Sequence, residues 1–178
     1  MDLRNLMLLA TFIFQAKSTC PEACVCEAQP WSLWFVVNCS SAGLTEIPLR
    51  IPRMTEILDL NHNDIRFINK SRLSGLFLLK KVSLDNTSLL RIPKDAFHEA
   101  RLHLVGLSMR HNNLTSIGKG AFSTLINLKN LDLSFNSLHS VDESELTGLI
   151  DLRYLSLRGN KIGYLHSTRS RCINTNNY

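Results

Sequence analysis

The sequence repeats one pattern of apolar residues at intervals of 24 or 25 residues. In residues 104–114, apolar side chains stand at positions one, four, six and eleven, with asparagine at position nine, and residues 128–138 repeat this order. The residues at position six of five successive units are Leu60, Leu84, Met109, Leu133 and Leu157. Positions four and six alternate as in a β-strand with both side chains on one face, whereas an amphipathic helix needs a spacing near 3.6 residues. A unit this short cannot bury its leucines alone, so the pattern predicts a stack of similar coils.

Two further rows of residues support the stack. Position nine is occupied by Asn63, Thr87, Asn112, Asn136 and Asn160. An asparagine there closes the turn after the strand and can bond the backbone of the neighbouring coil, and the shorter Thr87 is expected to bond it more loosely. The residues predicted to complete the core on the convex side are Ile68, Ile92, Ile117, Val141 and Leu165, followed by Leu73, Phe97, Phe122 and Leu146.

Residues 1–18 are typical of a secretory signal peptide. Arg4 precedes the apolar run 6–14, and residues 16–18 (AKS) resemble a cleavage site, although cleavage after Ala16 is also compatible. An uncleaved anchor and a buried helix are the alternatives, but nine apolar residues are too few to span a bilayer. Cleavage after residue 18 lowers the net charge of +5 by one, to +4, because it removes Arg4, Lys17 and Asp2.

The rest of the composition narrows the class of partner. Basic residues are scattered among acidic ones, which argues against nucleic acid as a partner. No second apolar run is long enough to cross a membrane, so no transmembrane segment is predicted and the chain is expected to be soluble.

Four of the five cysteines, Cys20, Cys24, Cys26 and Cys39, lie close together at the start of the predicted mature chain. In an exported chain such a cluster indicates disulfides. A zinc site is disfavoured because the Cys24-x-Cys26 spacing is tighter than the usual metal knuckle and no histidine is near. The four cysteines alone permit three pairings.

Together with the repeat, the C-P-x-x-C-x-C…C pattern of residues 20–39 resembles extracellular leucine-rich repeat proteins with an N-terminal cysteine cap. The resemblance implies the disulfides Cys20–Cys26 and Cys24–Cys39. It also implies an α/β-type solenoid, a right-handed leucine-rich repeat superhelix with a short parallel β-sheet on its concave face and a disulfide-bonded N-terminal cap. Residues 110–117 (RHNNLTSI), 120–124 (GAFST) and 131–134 (LDLS) are similar to the amphoterin-induced adhesion receptors, and nearly as similar to Toll-like receptor ectodomains and lamprey-type variable receptors.

The expected organisation is a signal peptide (1–18), a cysteine-rich cap (20–52), five repeats (53–166) and an irregular tail (167–178) without a C-terminal cap. Trp31 and Trp34 are expected to pack on the first coil, with a hairpin that carries one of them outward as the alternative. At the other end Ser170 stands where phenylalanine or leucine is expected, so the strand at 155–157 should be an open edge. We interpret the tail as that of a shortened form of a longer ectodomain, with Cys172 as an exposed thiol or an intermolecular disulfide partner.

The sequence predicts recognition rather than catalysis. The six histidines lack metal-ligand spacing, and nucleophile and phosphate-loop motifs are absent, so no enzyme activity, cofactor or metal is expected. The candidate ligand-binding residues on the concave face are Arg110, His111, Phe135, Tyr154 and Arg158. Arginine and aromatic residues are enriched at the centres of protein interfaces, although an ordinary mixed surface is the alternative. The expected partner is an extracellular protein ligand or receptor.

Four sequons predict N-linked glycans on a secreted or cell-surface protein, at Asn38, Asn69, Asn86 and Asn113. Asn69 and Asn113 have the most favourable predicted placement, and Asn38 has the least favourable because it adjoins Cys39. The predicted function is a non-enzymatic recognition module for cell-surface adhesion or receptor signalling, including a truncated soluble form of a receptor. The alternative is a matrix structural protein that binds collagen or glycosaminoglycan, but the concentrated basic strip or acidic tail that it would need is not visible.

Overall fold

The computed structural model describes residues 20–29, 34–166 and 173–174, with side chains as far as Gly163. Its strands are β1 (Val25–Ala28), β2 (Phe35–Asn38), β3 (Ile57–Asp59), β4 (Lys81–Ser83), β5 (Gly106–Ser108), β6 (Asn130–Asp132), β7 (Ser140–Asp142), β8 (Tyr154–Ser156), β9 (Tyr164–His166) and β10 (Ile173–Asn174). Eight of them form one sheet in the order β1-β2-β3-β4-β5-β6-β8-β10, and β7 pairs with β9 in a second, two-stranded sheet. Every neighbouring pair is parallel except β1 with β2, so the chain winds as a solenoid and the predicted fold is confirmed.

The strand register explains the core. Position four of each coil pairs with position four of the next, so that one buried row runs through Val37, Leu58, Val82, Leu107, Leu131 and Leu155. Position six forms a second buried row, Leu60, Leu84, Met109, Leu133 and Leu157. The predicted convex residues Ile68, Ile92, Ile117, Val141, Leu73, Phe97, Phe122 and Leu146 are buried as well, while the Leu165 side chain lies outside the described part. Short 3-10 helices at Lys70–Leu73 and His98–Ala100 complete the convex side.

Asparagine side chains join successive coils as predicted. The Asn136 Nδ2 atom donates to Met109 O of the preceding coil at 2.9 Å and to Leu133 O of its own coil at 3.0 Å, and its Oδ1 accepts from Leu114 N at 3.1 Å. Asn63, Asn112 and Asn160 make equivalent bonds. Because these donors and acceptors are buried, each amide satisfies backbone groups that would otherwise be desolvated without a partner.

Thr87 takes part in this ladder in a different way. Its Oγ1 donates to Leu84 O of its own coil at 2.9 Å and lies 2.9 Å from Asn112 Oδ1 of the next coil. The side chain is fully buried, so the hydroxyl fills the position of the amide. The asparagines at this position also bond a carbonyl of the preceding coil, and among the described residues Thr87 Oγ1 bonds only its own coil and the next.

The cap closes the outer side of the first coil. The disulfides are Cys20–Cys26 and Cys24–Cys39, as the resemblance implies. They fix the hairpin of β1 and β2, and β2 continues the parallel sheet into β3. Trp34 is half-buried beneath the lysines of the second coil, with Lys80 Nζ 4.9 Å and Lys81 Nζ 5.6 Å from its ring centroid. Trp31 lies outside the described residues.

The far end of the sheet differs from the expectation. The strand at 155–157 was predicted to be an open edge, but β10 pairs with β8 in parallel, matching Ile173 with Leu155 and Asn174 with Ser156. The prediction was wrong because it assumed that only another leucine repeat could cover this edge, whereas any extended backbone can bond the free N–H and C=O groups of an edge strand.

The signal segment 1–18 and the tail residues Ser170 and Cys172 lie outside the described residues. Within the described ranges no helix is long and apolar enough to cross a bilayer.

Candidate recognition surface

The candidate residues fall on two adjoining surfaces. Positions three and five of each coil lie on the sheet strands, and positions seven and eight follow the strands along what we call the trailing edge. At position eight the backbone is left-handed in every coil and in the cap: φ lies between +51° and +68° at Ser41, His62, Asn86, His111, Phe135 and Gly159. Arg110, His111, Phe135 and Arg158 therefore lie on the trailing edge beside the concave sheet, and Tyr154 lies on the sheet itself.

Three of the predicted residues come together on the trailing edge. The His111 and Phe135 rings are stacked, with centroids 4.4 Å apart and planes within 5° of parallel. The guanidinium carbon of Arg158 lies 5.7 Å from the centroid of Phe135. Phe135 still exposes 37% of its surface, so this cluster offers an apolar ring framed by two nitrogen-bearing groups. Such a cation–π arrangement holds a large side chain in place before any partner arrives.

Gly159 makes room for the Phe135 ring. A Cβ at residue 159 would stand 2.6 Å from Cδ1 of Phe135, closer than real contacts allow. The glycine also has φ +68°, a conformation that glycine adopts without steric cost. The sequence signal for this role is a glycine at position eight, the position that Phe135 occupies in the preceding coil.

Arg110 is held at the boundary between the trailing edge and the sheet. Its Nε lies 3.7 Å from Asp132 Oδ2, in a half-exposed ion pair, and among the described residues Nε has no hydrogen bond. Its backbone N–H donates to Asp85 Oδ1 at 2.8 Å. Ser134, which occupies position seven in the next coil, is only 3% exposed. The guanidinium is therefore oriented by Asp132 yet keeps donors for a partner.

Tyr154 lines a shallow depression of about 490 Å³ in the concave sheet. The depression lies over Gly106, which has no side chain at position three, and over the small Ser83 and Ser108 at position five. Lys81, Asn130, Asp132 and Tyr154 form its rim. Gly106 was the sequence signal for this hollow, since the other coils have side chains of Ile57, Lys81, Asn130 and Tyr154 at the same position. The depression is separate from the His111–Phe135 stack.

Charge is distributed unevenly along the solenoid. The first two coils have Glu56, Asp59 and Asp85 against Lys80 and Lys81 on the concave side, and Glu56 pairs with Lys80. Beside them, hydrogen bonds from Arg66 and then Ser88 lower the pKa of the exposed Asp64 carboxyl. The last three coils have Arg110, Lys129, Arg153 and Arg158 against Asp132. The half of the surface that has the aromatic cluster is therefore the basic half.

The four sequon asparagines are all exposed but differ in local geometry. Asn38 Oδ1 accepts from Ser40 N at 2.9 Å and from Ser40 Oγ at 2.7 Å, and Asn69 Oδ1 accepts from Ser71 N at 3.1 Å and Ser71 Oγ at 2.8 Å. These are Asx-turns that present the amide and the hydroxyl of the sequon together. Asn86 lies on the trailing edge and precedes the buried Thr87, and Asn113 lies two residues beyond the trailing edge, after Asn112.

No group of three histidine, cysteine, aspartate or glutamate side chains within the described ranges is placed to hold a metal ion. The recognition surface consists of side chains suited to contacts with another molecule.

Comparison with known proteins agrees with this architecture. A family model described as leucine rich repeat matches residues 102–162. Leucine-rich repeat-containing protein 3B of Danio rerio is 32% identical over 122 residues, which cover 67% of this chain and 46% of that protein. Tsukushi of Gallus gallus is 33% identical over 125 residues, covering 66% and 34% respectively. Amphoterin-induced protein 2 of Homo sapiens is 32% identical over 124 residues, covering 70% and 18%.

The chain therefore spans about half the length of the first of these relatives and a smaller share of the other two. The predicted similarity to an amphoterin-induced protein is confirmed, and these matches indicate no enzymatic family. Together with the stacked parallel coils and the two disulfides, they show that the chain belongs to the leucine-rich repeat family and has a disulfide-bonded N-terminal cap.

Proposed function

We propose that the chain is an extracellular recognition module that binds a protein partner through the basic half of its concave side and the adjoining trailing edge. The proposed binding residues are Arg110, His111, Phe135, Tyr154 and Arg158. The observation that supports it best is the His111–Phe135–Arg158 cluster, an exposed ring held by stacking and by a cation. Binding by a side chain that is already ordered loses little conformational entropy.

The charge of this surface suggests the chemistry of the partner. Arg110, Lys129, Arg153 and Arg158 favour a partner with acidic side chains, and Phe135 and Tyr154 favour apolar or aromatic groups at the centre of the contact. Cell-surface adhesion or receptor signalling is the role that we assign to such a module, including as a truncated soluble form of a longer receptor.

Residues 1–18 act as the export signal in this proposal, residues 20–52 as the cap, residues 53–166 as the repeats and residues 167–178 as the tail. The two disulfides support export because such bonds persist in oxidising compartments. We propose glycans at Asn38 and Asn69, whose Asx-turns present the sequon, and also at the exposed Asn86 and Asn113. Mass spectrometry of secreted protein before and after enzymatic deglycosylation measures the occupancy of each asparagine.

The test is a binding screen against individually displayed extracellular proteins, followed by measurement of the affinity of wild-type and variant chains. We expect Phe135→Ala and Arg158→Glu each to weaken the identified complex at least about tenfold, because central aromatic and arginine residues dominate interface energies. Matched controls are Phe67→Ala, an exposed phenylalanine on the convex side, and Lys119→Glu, an exposed convex charge.

The controls should bind as the wild type does. Equal loss in the convex controls, or full binding by the Phe135 and Arg158 variants, would refute the proposed surface. Retention on heparin at physiological salt without any protein partner would instead support the matrix alternative.

A further inference from the structure

A second row of apolar side chains runs along the edge opposite the trailing edge. Two residues before the first position of the second to fifth coils stand Phe77, Leu102, Ile126 and Ile150, just ahead of the strands, along what we call the leading edge. They expose 52%, 59%, 42% and 65% of their surface. Isolated exposed leucines are ordinary, but four in one register form a continuous strip of the kind that marks a contact site.

The strip rests on a backbone whose polar groups are already bonded between coils. His103 Nδ1 lies 2.9 Å from Phe77 O, and Asn127 Nδ2 donates to Leu102 O at 3.0 Å. Asp151 N donates to Ile126 O at 3.3 Å. Each of these three hydrogen bonds links one coil to the next, so the backbone that carries the apolar side chains is held in place.

Basic residues border the strip. Arg101 adjoins Leu102, while Lys129 and Arg153 occupy position two of the coils that follow Ile126 and Ile150. Lys129 is half-buried and Arg153 is exposed. Asp151 is the acidic residue next to the strip, so its border has a net positive charge.

The spacing of the strip selects a class of partner. Neighbouring coils of a parallel sheet lie about 4.8 Å apart, and residues three or four apart on an α-helix face lie about 5–6 Å apart. A helix with apolar residues at i, i+4, i+7 and i+11 can therefore place one side chain beside each coil. The basic border is complementary to acidic residues beside that stripe.

We propose that the leading edge is a second docking surface, which binds an amphipathic helix with an aliphatic stripe flanked by acidic side chains. None of the four sequons lies there: Asn86 is on the trailing edge, Asn113 is two residues beyond it, Asn69 is on the convex side and Asn38 is at the end of β2. The edge is thus open whether or not these asparagines are glycosylated. A lipid surface also takes apolar and basic groups together, but it requires no match between coil and helix spacing.

The experiment uses the full chain and a labelled 18-residue helical peptide with leucines at i, i+4, i+7 and i+11 and glutamates on both flanks. Fluorescence anisotropy should show binding that weakens at least tenfold when Leu102→Ser and Ile126→Ser are combined. The matched control combines Val25→Ser and Leu49→Ser, two residues that are each 62% exposed elsewhere, and it should bind as the wild type does. A peptide with lysines in place of the glutamates should bind at least tenfold more weakly.

A second variant tests the proposal independently in case the combined Leu102→Ser and Ile126→Ser variant does not fold. Lys129→Glu with Arg153→Glu leaves the apolar strip intact and should reverse the preference between the two peptides. Phe135→Ala should bind the glutamate peptide as the wild type does, which separates this surface from the one proposed for the main partner. The proposal is overturned if neither peptide binds, if both bind equally, if the two leading-edge variants behave as the wild type does, or if anionic phosphatidylserine vesicles bind with the same dependence on Leu102 and Ile126.

Discussion

At the scale of single residues, the asparagine ladder determines how firmly neighbouring coils are joined. Asn136 satisfies backbone groups of two coils from a side chain that is 6% exposed. Removing such an amide leaves several buried donors and acceptors without partners, and each costs about 1–3 kcal/mol.

We therefore expect Asn136→Ala to lower the free energy of unfolding by about 2–4 kcal/mol. Urea denaturation followed by circular dichroism measures it. Asn130→Ala, an exposed asparagine six residues earlier, is the control and should change stability by about 0.5 kcal/mol or less. A loss below about 1 kcal/mol for Asn136→Ala would show that the ladder is not a principal link between coils.

Replacing Gly159 tests two effects, the strain of a left-handed backbone and the displacement of the Phe135 ring. Gly159→Ala adds a Cβ that displaces the Phe135 ring, whereas Gly43→Ala has the same strained φ, +67°, with nothing within 4 Å of the new carbon. Both should lose about 1–2 kcal/mol from the left-handed backbone. Only Gly159→Ala should also break the His111–Phe135 stack.

The measurement is the NMR chemical shift of the His111 ring protons, which the Phe135 ring current moves in the wild type. We expect this shift to disappear in Gly159→Ala and to persist in Gly43→Ala. An unchanged His111 shift in both variants would mean that Gly159 does not hold the ring in place.

At the scale of elements, the cap is stabilised by two loops of different length. Cys24–Cys39 spans 15 residues of sequence separation and Cys20–Cys26 spans six. The entropy lost by the unfolded chain grows with the closed loop, which gives about 3 kcal/mol for the longer and about 2 kcal/mol for the shorter.

Paired serine variants should follow that order. Removing Cys24 and Cys39 together should lower the midpoint of urea unfolding more than removing Cys20 and Cys26 together. The reverse order would indicate that native contacts of the cap, rather than loop closure, set its stability.

Much at this scale could be predicted from the sequence because the repeat fixes strand register. The pairing of Leu107 with Leu131 and the burial of Phe122 follow from positions in the pattern. The pairing of Ile173 with Leu155 could not be predicted, since backbone bonding at an edge leaves no apolar period in the sequence. The Trp34 contacts with Lys80 and Lys81 were also missed, because they join the cap to a coil more than 40 residues away.

At the scale of the whole molecule, the solenoid separates surfaces that a single sequence pattern cannot distinguish. A left-handed turn places Phe135 on the trailing edge, while Ile126, two residues before the first position of its coil, lies on the leading edge. The candidate residues were predicted as one concave group, whereas the structure divides them into the cluster at Phe135, the Arg110–Asp132 pair and the depression at Tyr154. Such groupings depend on side-chain conformations, which the repeat does not specify.

A glycan placed on the concave sheet tests the proposed recognition surface most directly. Asp132→Ser creates a sequon at the exposed Asn130 of β6, and Asp142→Asn creates one at Asn-Glu-Ser on the convex side, in an Asx-turn like that of Asn69. Asp132→Ala removes the same carboxylate without adding a glycan.

Each glycosylated protein is measured against the partner identified in the display screen. The account predicts that Asp132→Ser weakens binding at least about tenfold, that Asp142→Asn binds as the wild type does, and that Asp132→Ala changes affinity by about threefold or less. Full binding with a confirmed glycan at Asn130 would contradict it.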